Sequence, residues 1–342
     1  MKNTFSISMP VRYLINAIVI ALFLFFGNML MGSGILPGAH RMNILQVGVF
    51  IILAVSLNIT TGYLGQLPLG HAGFMAVGAY AAGIFWRSGM LPGTASLVVG
   101  LVLAGIVAAI FGIMIGIPAL RLRGDYLAII TLGFGEIIRI LLNNFSGLTG
   151  GAMGLVLHRH RYSTFLVVFI CVVITCAVIH VMMKSRHGRA ILSIRENEIA
   201  AESCGIKTTY YKVLAFAVSA FFAGIAGGLF AGITGYIEPA EFDFMTSINI
   251  LMIVVLGGMG SMAGAVIGAA VLTTLPIVMQ FMADWMMVFY AGILICFMLF
   301  RPRGIFGNYD FSLSRILEKA IGRFSSGKQG KGGDTNGEKP SF

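Results

Sequence analysis

The chain has 342 residues, of which 58% are hydrophobic and only 11% are Asp, Glu, Lys or Arg, against roughly a quarter charged in soluble proteins. With 45 glycines besides and a mean hydropathy of +0.92, there is too little polar surface to meet water all round, so most of the exterior must face lipid. A soluble enzyme, a secreted disulfide scaffold and a disordered chain are excluded, and the formal charge of +10 collects in a few loops between apolar runs, which argues against a nucleic-acid partner.

Taken in chain order, ten apolar segments approach the length of about 20 residues that a helix needs to cross a bilayer core. They run near 11–31, 43–60, 69–86, 95–117, 126–143, 163–183, 213–234, 247–260, 263–282 and 285–300. The first follows Lys2 and Arg12, is longer than a signal-peptide core and has no convincing small-x-small cleavage site, so it reads as an uncleaved span. The pair 247–260 and 263–282 is divided by the glycines of "GGMGSMAG". The expected fold class is an all-α polytopic membrane protein with about ten transmembrane or partly broken helices. Cys171, Cys176 and Cys296 lie inside apolar runs and Cys204 in a charged loop, a pattern with neither a disulfide framework nor metal-ligand spacing.

Ten crossings with the N-terminus inside place 1–12, 61–68, 118–125, 184–212, 261–262 and 301–342 in the cytoplasm. Eighteen of the 23 Lys and Arg fall in these stretches and four outside, with Arg139 inside a span. That asymmetry obeys the positive-inside rule and puts both termini in the cytoplasm. Only "HRHR" at 158–161 pulls the other way. From 307 onward the chain turns polar ("SSGKQGKGGDTNGEKP"), so residues 1–306 read as the membrane domain and 307–342 as a disordered cytoplasmic tail.

Four polar features interrupt this pattern. Asn58, Gln66 and His71 flank "GYLGQLPLGH", where Gly62, Gly65, Pro68 and Gly70 break the helix, and non-helical backbone at that depth forms either a gate or a packed re-entrant turn. Glu136 and Arg139 stand three apart on one helical face, so they pair with each other or line a polar pathway. "LGGMGSMAG" near 256–264 fits a dinucleotide-binding fingerprint but lacks the second strand and its acidic residue, and reads better as close helix packing through small residues. "GRFSSGKQ" (322–329) has Gln329 where a phosphate loop needs Ser or Thr for magnesium, so no ATP site is expected on this chain.

The longest internal charged stretch, 184–212, has helical character. Ile191, Ile194, Ile199 and Cys204 form a thin apolar stripe, and Gly205 is a natural stop. Such a helix is either a solvated loop element or a peg for a groove on a cytoplasmic partner.

Within that loop, "GRAILSIRENEIAAESCGI" resembles the coupling segment of bacterial ABC importer permeases, specifically those for branched-chain amino acids. "LNITTGYLGQLPLGHAGFMAVGAY", "PALRLRGDYLAIITLGFGEIIRILLNN", "LTGGAMG", "LMIVVLGGMGSMAGAVIGA" and "FRPRGIFG" resemble the same family in the same order, over about 50–307. The family's Glu-Ala-Ala-x-x-x-Gly pattern falls on Ile199, Ala200, Ala201 and Gly205, with Ile in place of the leading Glu. The resemblance implies ABC-importer permease architecture in the bacterial cytoplasmic membrane. It implies ATPase coupling through Gly188, Arg189, Ile194, Arg195, Glu196, Asn197, Glu198, Ala200, Ala201, Glu202 and Gly205. The implied partners are a second homologous permease, two ATPases that hold ATP and magnesium, and an external binding protein that delivers leucine, isoleucine or valine. Related permeases carry urea or short amides. A secondary transporter or channel using Glu136 and Arg139 is the alternative from another class.

Overall fold

The computed structural model describes residues 9–33, 37–122, 124–157 and 164–279, with scattered positions between 285 and 299. The chain divides into two units, Met1–Leu30 with Asp310–Phe342, and Met31–Tyr309. In the first, the described part is residues 9–30 of helix α1 (Met9–Gly32), whose side chains from Ala21 to Leu30 are exposed or half-exposed.

The second unit is a bundle of helices: α2 (Gly38–Asn58), α3 (His71–Ser88), α4 (Gly93–Ala119), α5 (Asp125–Asn144), the single turn α6 (Ser146–Thr149), α7 (Phe165–Lys184), α8 (Arg186–Glu196), α9 (Glu198–Ser203), α10 (Thr208–Thr234), α11 (Phe244–Gly257) and α12 (Met262–Val278). Nine of the ten expected segments coincide with a helix. The tenth, 285–300, and the tail from 307 lie outside the continuously described residues.

Length separates these helices. Among the described residues, four helical stretches are long and apolar enough to cross a membrane: Gly38–Tyr63, Gly93–Ala119, Phe165–Lys184 and Thr208–Thr234. Helices α11 and α12 have 14 and 17 residues, about 21 and 25 Å at 1.5 Å per residue, short of a core about 30 Å thick. They form an antiparallel hairpin in which Gly257 meets Gly264 and Gly268 meets Ile253, with Gly258 (φ +114°) and Gly260 (φ +86°) making the turn.

The core is built from small residues. Helix α10 packs against α3 and α4 through Ala220, Ala223, Gly224, Gly227 and Gly228, and a Cβ on Gly78 would strike the backbone of Gly224. In lipid there is no hydrophobic gain in bringing helices together, so close backbone approach and its dispersion contacts must hold them. Helix α4 shows the converse on its other side, where Val98, Val102, Ile106, Ile110, Ile113 and Ile117 are exposed at helical spacing. That is the face for acyl chains.

Candidate coupling loop and helix-break site

Contacts across the bundle sort the connections by end. Gly116 of α4 packs on Phe216 near the start of α10, and Gly228 near the end of α10 packs on Leu101 near the start of α4, so these helices are antiparallel. Residues 120–122 and the α8–α9 loop therefore share one end. At the opposite end Leu155–Val156 (β1) pairs with Tyr236–Ile237 (β2) in a two-residue antiparallel ladder.

At the loop end α2 does not stop cleanly. It widens into a π-helical turn over Ile59–Tyr63, with Leu64 N donating to Ile59 O (3.0 Å) and Gln66 N to Thr60 O (2.9 Å). The widening leaves carbonyls to be satisfied by other groups. Thr60 and Thr61 hydroxyls both donate to Leu57 O, and Ser219 on α10 donates to Ser56 O (2.7 Å).

Residues 64–70 then turn back into the bundle beside α5. Leu69 N donates to Thr131 Oγ1 (3.0 Å), a Cβ on Gly70 would strike the Thr131 backbone, and Gly73 lies against Gly135. Helix α3 consequently begins level with Ser56, about 10 Å up from Tyr63 by helical rise. His71 Nε2 lies 3.0 Å from Ser56 Oγ, whose proton goes to Leu53 O, so His71 is a buried and satisfied structural residue. Ala72 N, next along, donates to Ser247 Oγ of α11 (3.1 Å).

Asn58 is 1% exposed, and its Oδ1 accepts from Gly260 N (2.8 Å) while its Nδ2 donates to Ser261 O (3.2 Å). The π turn is thereby locked onto the turn of the α11–α12 hairpin. Gly62 is obligatory here, because a Cβ would strike both Asn58 Oδ1 and Gly260 N. Gln66 Oε1 is buried without a hydrogen-bond partner among the described residues.

The α8–α9 loop differs from the expected single helix. Asn197 is extended (φ −160°, ψ 111°) and divides it in two, its side chain accepting from Ala200 N to cap α9. The expected apolar stripe is broken with it. Ile191 and Ile194 are buried against the chain itself, whereas Ile199 is 67% exposed and Cys204 is exposed.

Each of the other loop residues has a definite place. Gly188 fits under the Met183 carbonyl, where a Cβ would clash, and Ser185 caps α8 by accepting from His187 N (3.2 Å). Arg189, Glu196, Ala200 and Glu202 are exposed, while Ala201 is buried. Gly205 (φ +81°) ends α9, with its N–H on Glu202 O and that of Ile206 on Ala201 O. Glu198 holds Lys212 Nζ (2.6 Å) and Glu202 accepts from Thr208 Oγ1 (2.6 Å), so both acids tie α9 to α10. Arg195 does not point away from the bundle. Its Nη1 donates to Gly62 O (2.7 Å), and its side chain crosses Gly65.

Glu136 and Arg139 form the ion pair expected from their spacing, Arg139 Nε and Nη2 reaching Glu136 Oε2 at 2.8 and 2.7 Å. The pair is about one-third exposed and stands at the edge of an α5 face on which Tyr126, Ile129, Ile137 and Ile140 are exposed. A small cleft beside it is lined by Leu69, Gly135, Glu136, Asp243 and Ser247. Asn58 and the π turn thus meet the α8–α9 loop through Arg195, while His71 and the Glu136–Arg139 pair lie elsewhere in the bundle. Ser56, Thr131, Ser219, Ser247 and Lys212 escape sequence reasoning, since a single hydroxyl in an apolar run or one Lys in a basic loop carries little signal.

The family model for the permease component of the branched-chain amino acid transport system matches residues 42–298. The chain belongs to this permease family. Over 298 residues the permease is 37% identical to the high-affinity branched-chain amino acid transport system permease protein LivM of Salmonella typhimurium, covering 75% of this chain and 67% of that one. It is 36% identical to LivM of Escherichia coli with the same coverage, and 26% identical to the high-affinity branched-chain amino acid transport system permease protein LivH of Escherichia coli over 76% of this chain and 91% of that one. No solved structure matches this permease.

Proposed function

We propose that this permease is one membrane subunit of an ATP-driven importer for branched-chain amino acids, forming half of the translocation pathway. The observation that carries the reading is the family match over 42–298, which includes the α8–α9 loop and both helix breaks. A second homologous permease completes the pathway. Two ATPases, which hold ATP and magnesium, dock beneath α8–α9, and an external binding protein delivers leucine, isoleucine or valine. The chain itself is a transport subunit and not an enzyme.

The geometry gives this division of labour a physical basis. A short helix pair held by capping, one ion pair and a side-chain hydrogen bond at one end of the bundle offers a cytoplasmic partner a rigid contact with the exposed Ile199. Helix α5 meets its own bundle along Leu127, Thr131 and Ile138 and leaves an apolar face with an ion pair at its edge, which suits a protein neighbour better than lipid. The positive-inside asymmetry supports the cytoplasmic membrane, with both termini and the α8–α9 loop inside and 307–342 as a polar tail.

The test is reconstitution in vesicles. The chain together with its partner permease, ATPases and binding protein should accumulate leucine in an ATP-dependent way, with competition by isoleucine and valine and none by urea or short amides. The chain alone should accumulate nothing. Uptake by the chain alone, driven by a proton gradient, would overturn the importer reading in favour of a secondary transporter.

A further inference from the structure

Three segments far apart in sequence converge on one side chain. Arg195, at the C-terminal end of α8, donates from Nη1 to Gly62 O inside the π turn at 2.7 Å. Its Cγ passes 3.1 Å from where a Cβ of Gly65 would stand, and Nη1 lies 3.1 Å from where a Cβ of Gly260 would stand. The Arg195 side chain, exposed on its outer side, therefore lies in a surface notch against three glycines from two different helix breaks. Asn58 closes the notch from behind by binding both Gly260 N and Ser261 O.

The notch is mechanically distinctive. The π turn and the hairpin turn have irregular backbone, and irregular backbone inside a membrane protein changes conformation at lower cost than a continuous helix. The α8 segment that carries Arg195 is regular, capped by Ser185, and anchored by buried Ile191 and Ile194. A rigid lever therefore ends in a charge-assisted hydrogen bond to a deformable segment. Below that contact α9, tied to α10 through Glu198 and Glu202, carries the exposed Ile199.

We propose that Arg195 is the positioning residue that transmits movement of the α8–α9 loop to the two helix breaks at 59–70 and 258–261. This rests on the reading that the loop docks the ATPases. Arg195 acts by pulling the Gly62 carbonyl with the loop, and Asn58 makes the hairpin turn follow. It contacts no substrate in this role.

The experiment uses the complete reconstituted transporter with Arg195→Ala, Arg195→Lys and Arg195→Gln. It reads ATPase co-purification, hydrolysis stimulated by loaded binding protein, and leucine moved per ATP hydrolysed. Arg195→Ala should keep the ATPases bound and lower leucine moved per ATP by tenfold or more. Arg195→Lys, which still presents a cationic donor to Gly62 O, should recover at least half of the ratio. Arg195→Gln, a shorter neutral donor, should fall between them. An unchanged ratio in Arg195→Ala overturns the proposal. Loss of uptake in proportion to loss of bound ATPase overturns it too, by making Arg195 a docking residue. If Arg195→Ala fails to fold, the Lys and Gln variants decide, since equal coupling in both would mean that the charged contact transmits nothing. Failure of the underlying reading is separable, because ATPases that still co-purify after α9 is replaced by a Gly-Ser linker do not dock on this loop.

Discussion

Lys212 places its ammonium 2.6 Å from Glu198 Oε1 with 5% of its side chain exposed, against 24% for Glu198, so the start of α10 is tied to α9 by an ion pair that is buried on the lysine side. The pair fixes the direction in which α9 leaves α8. Its partner contacts are Asn197 capping α9 from one side and Thr208 meeting Glu202 from the other.

Glu198→Gln should cost about 3 kcal/mol or more of stability, because it leaves a buried ammonium without its counter-charge. Replacing both residues, as in Glu198→Leu with Lys212→Met, should recover most of that loss, since the desolvation cost disappears with the charges. Thermal unfolding of the purified permease in detergent measures both. Equal melting of the wild type and the Glu198→Gln protein would show that the pair contributes nothing.

Ile199 and Ala201 should behave differently although they are two residues apart. Ile199 is 67% exposed, so Ile199→Arg should leave the fold intact and weaken ATPase co-purification by about tenfold or more, in line with roughly 2 kcal/mol for a central interface anchor. Ala201 is 4% exposed, so Ala201→Arg should reduce the yield of folded permease before any partner is involved. Normal ATPase recovery with Ile199→Arg would remove α9 from the docking surface.

The glycine packing of α3 on α10 allows a paired test. Gly78→Leu should prevent a monodisperse folded protein, because a side chain there meets the backbone of Gly224 and neither helix can withdraw without opening the core. Gly133→Ala on α5 has nothing within 4 Å and should be tolerated or slightly stabilising, by about 1 kcal/mol of helix propensity. Size-exclusion profiles and melting curves separate the two outcomes.

Asn58→Leu keeps the approximate volume of the side chain and removes both of its hydrogen bonds. Gly260 N would then lose this partner, at about 1–3 kcal/mol, whereas Ser261 O keeps its bond from Ala265 N. Faster hydrogen exchange confined to 258–264 is the expected signature. Unchanged exchange there would mean that the hairpin turn is held by other contacts.

Much of the bundle was legible in the residues because membrane insertion is read from local properties. An apolar run of about 20 residues has few alternatives to a helix in lipid, and nine such runs coincide with helices here. The helix break at 59–70 was legible for the same kind of reason: Pro68 together with Gly62, Gly65 and Gly70 within nine residues weighs heavily against a continuous helix. The Glu136–Arg139 pair followed from a spacing of three on one helix.

What lay beyond the sequence was direction and partnership. Asn197 reads as an ordinary polar loop residue, yet its extended backbone ends α8 and opens α9 as a separate helix, with Ala201 buried and Ile199 exposed. Asn58 finds Gly260 across 202 positions, and Arg195 finds Gly62 across 133. Local composition determined where helices form and where they must break, because those costs are settled within a few residues. Only the tertiary structure decided which break meets which loop, because a hydrogen bond between distant segments depends on how the intervening helices pack.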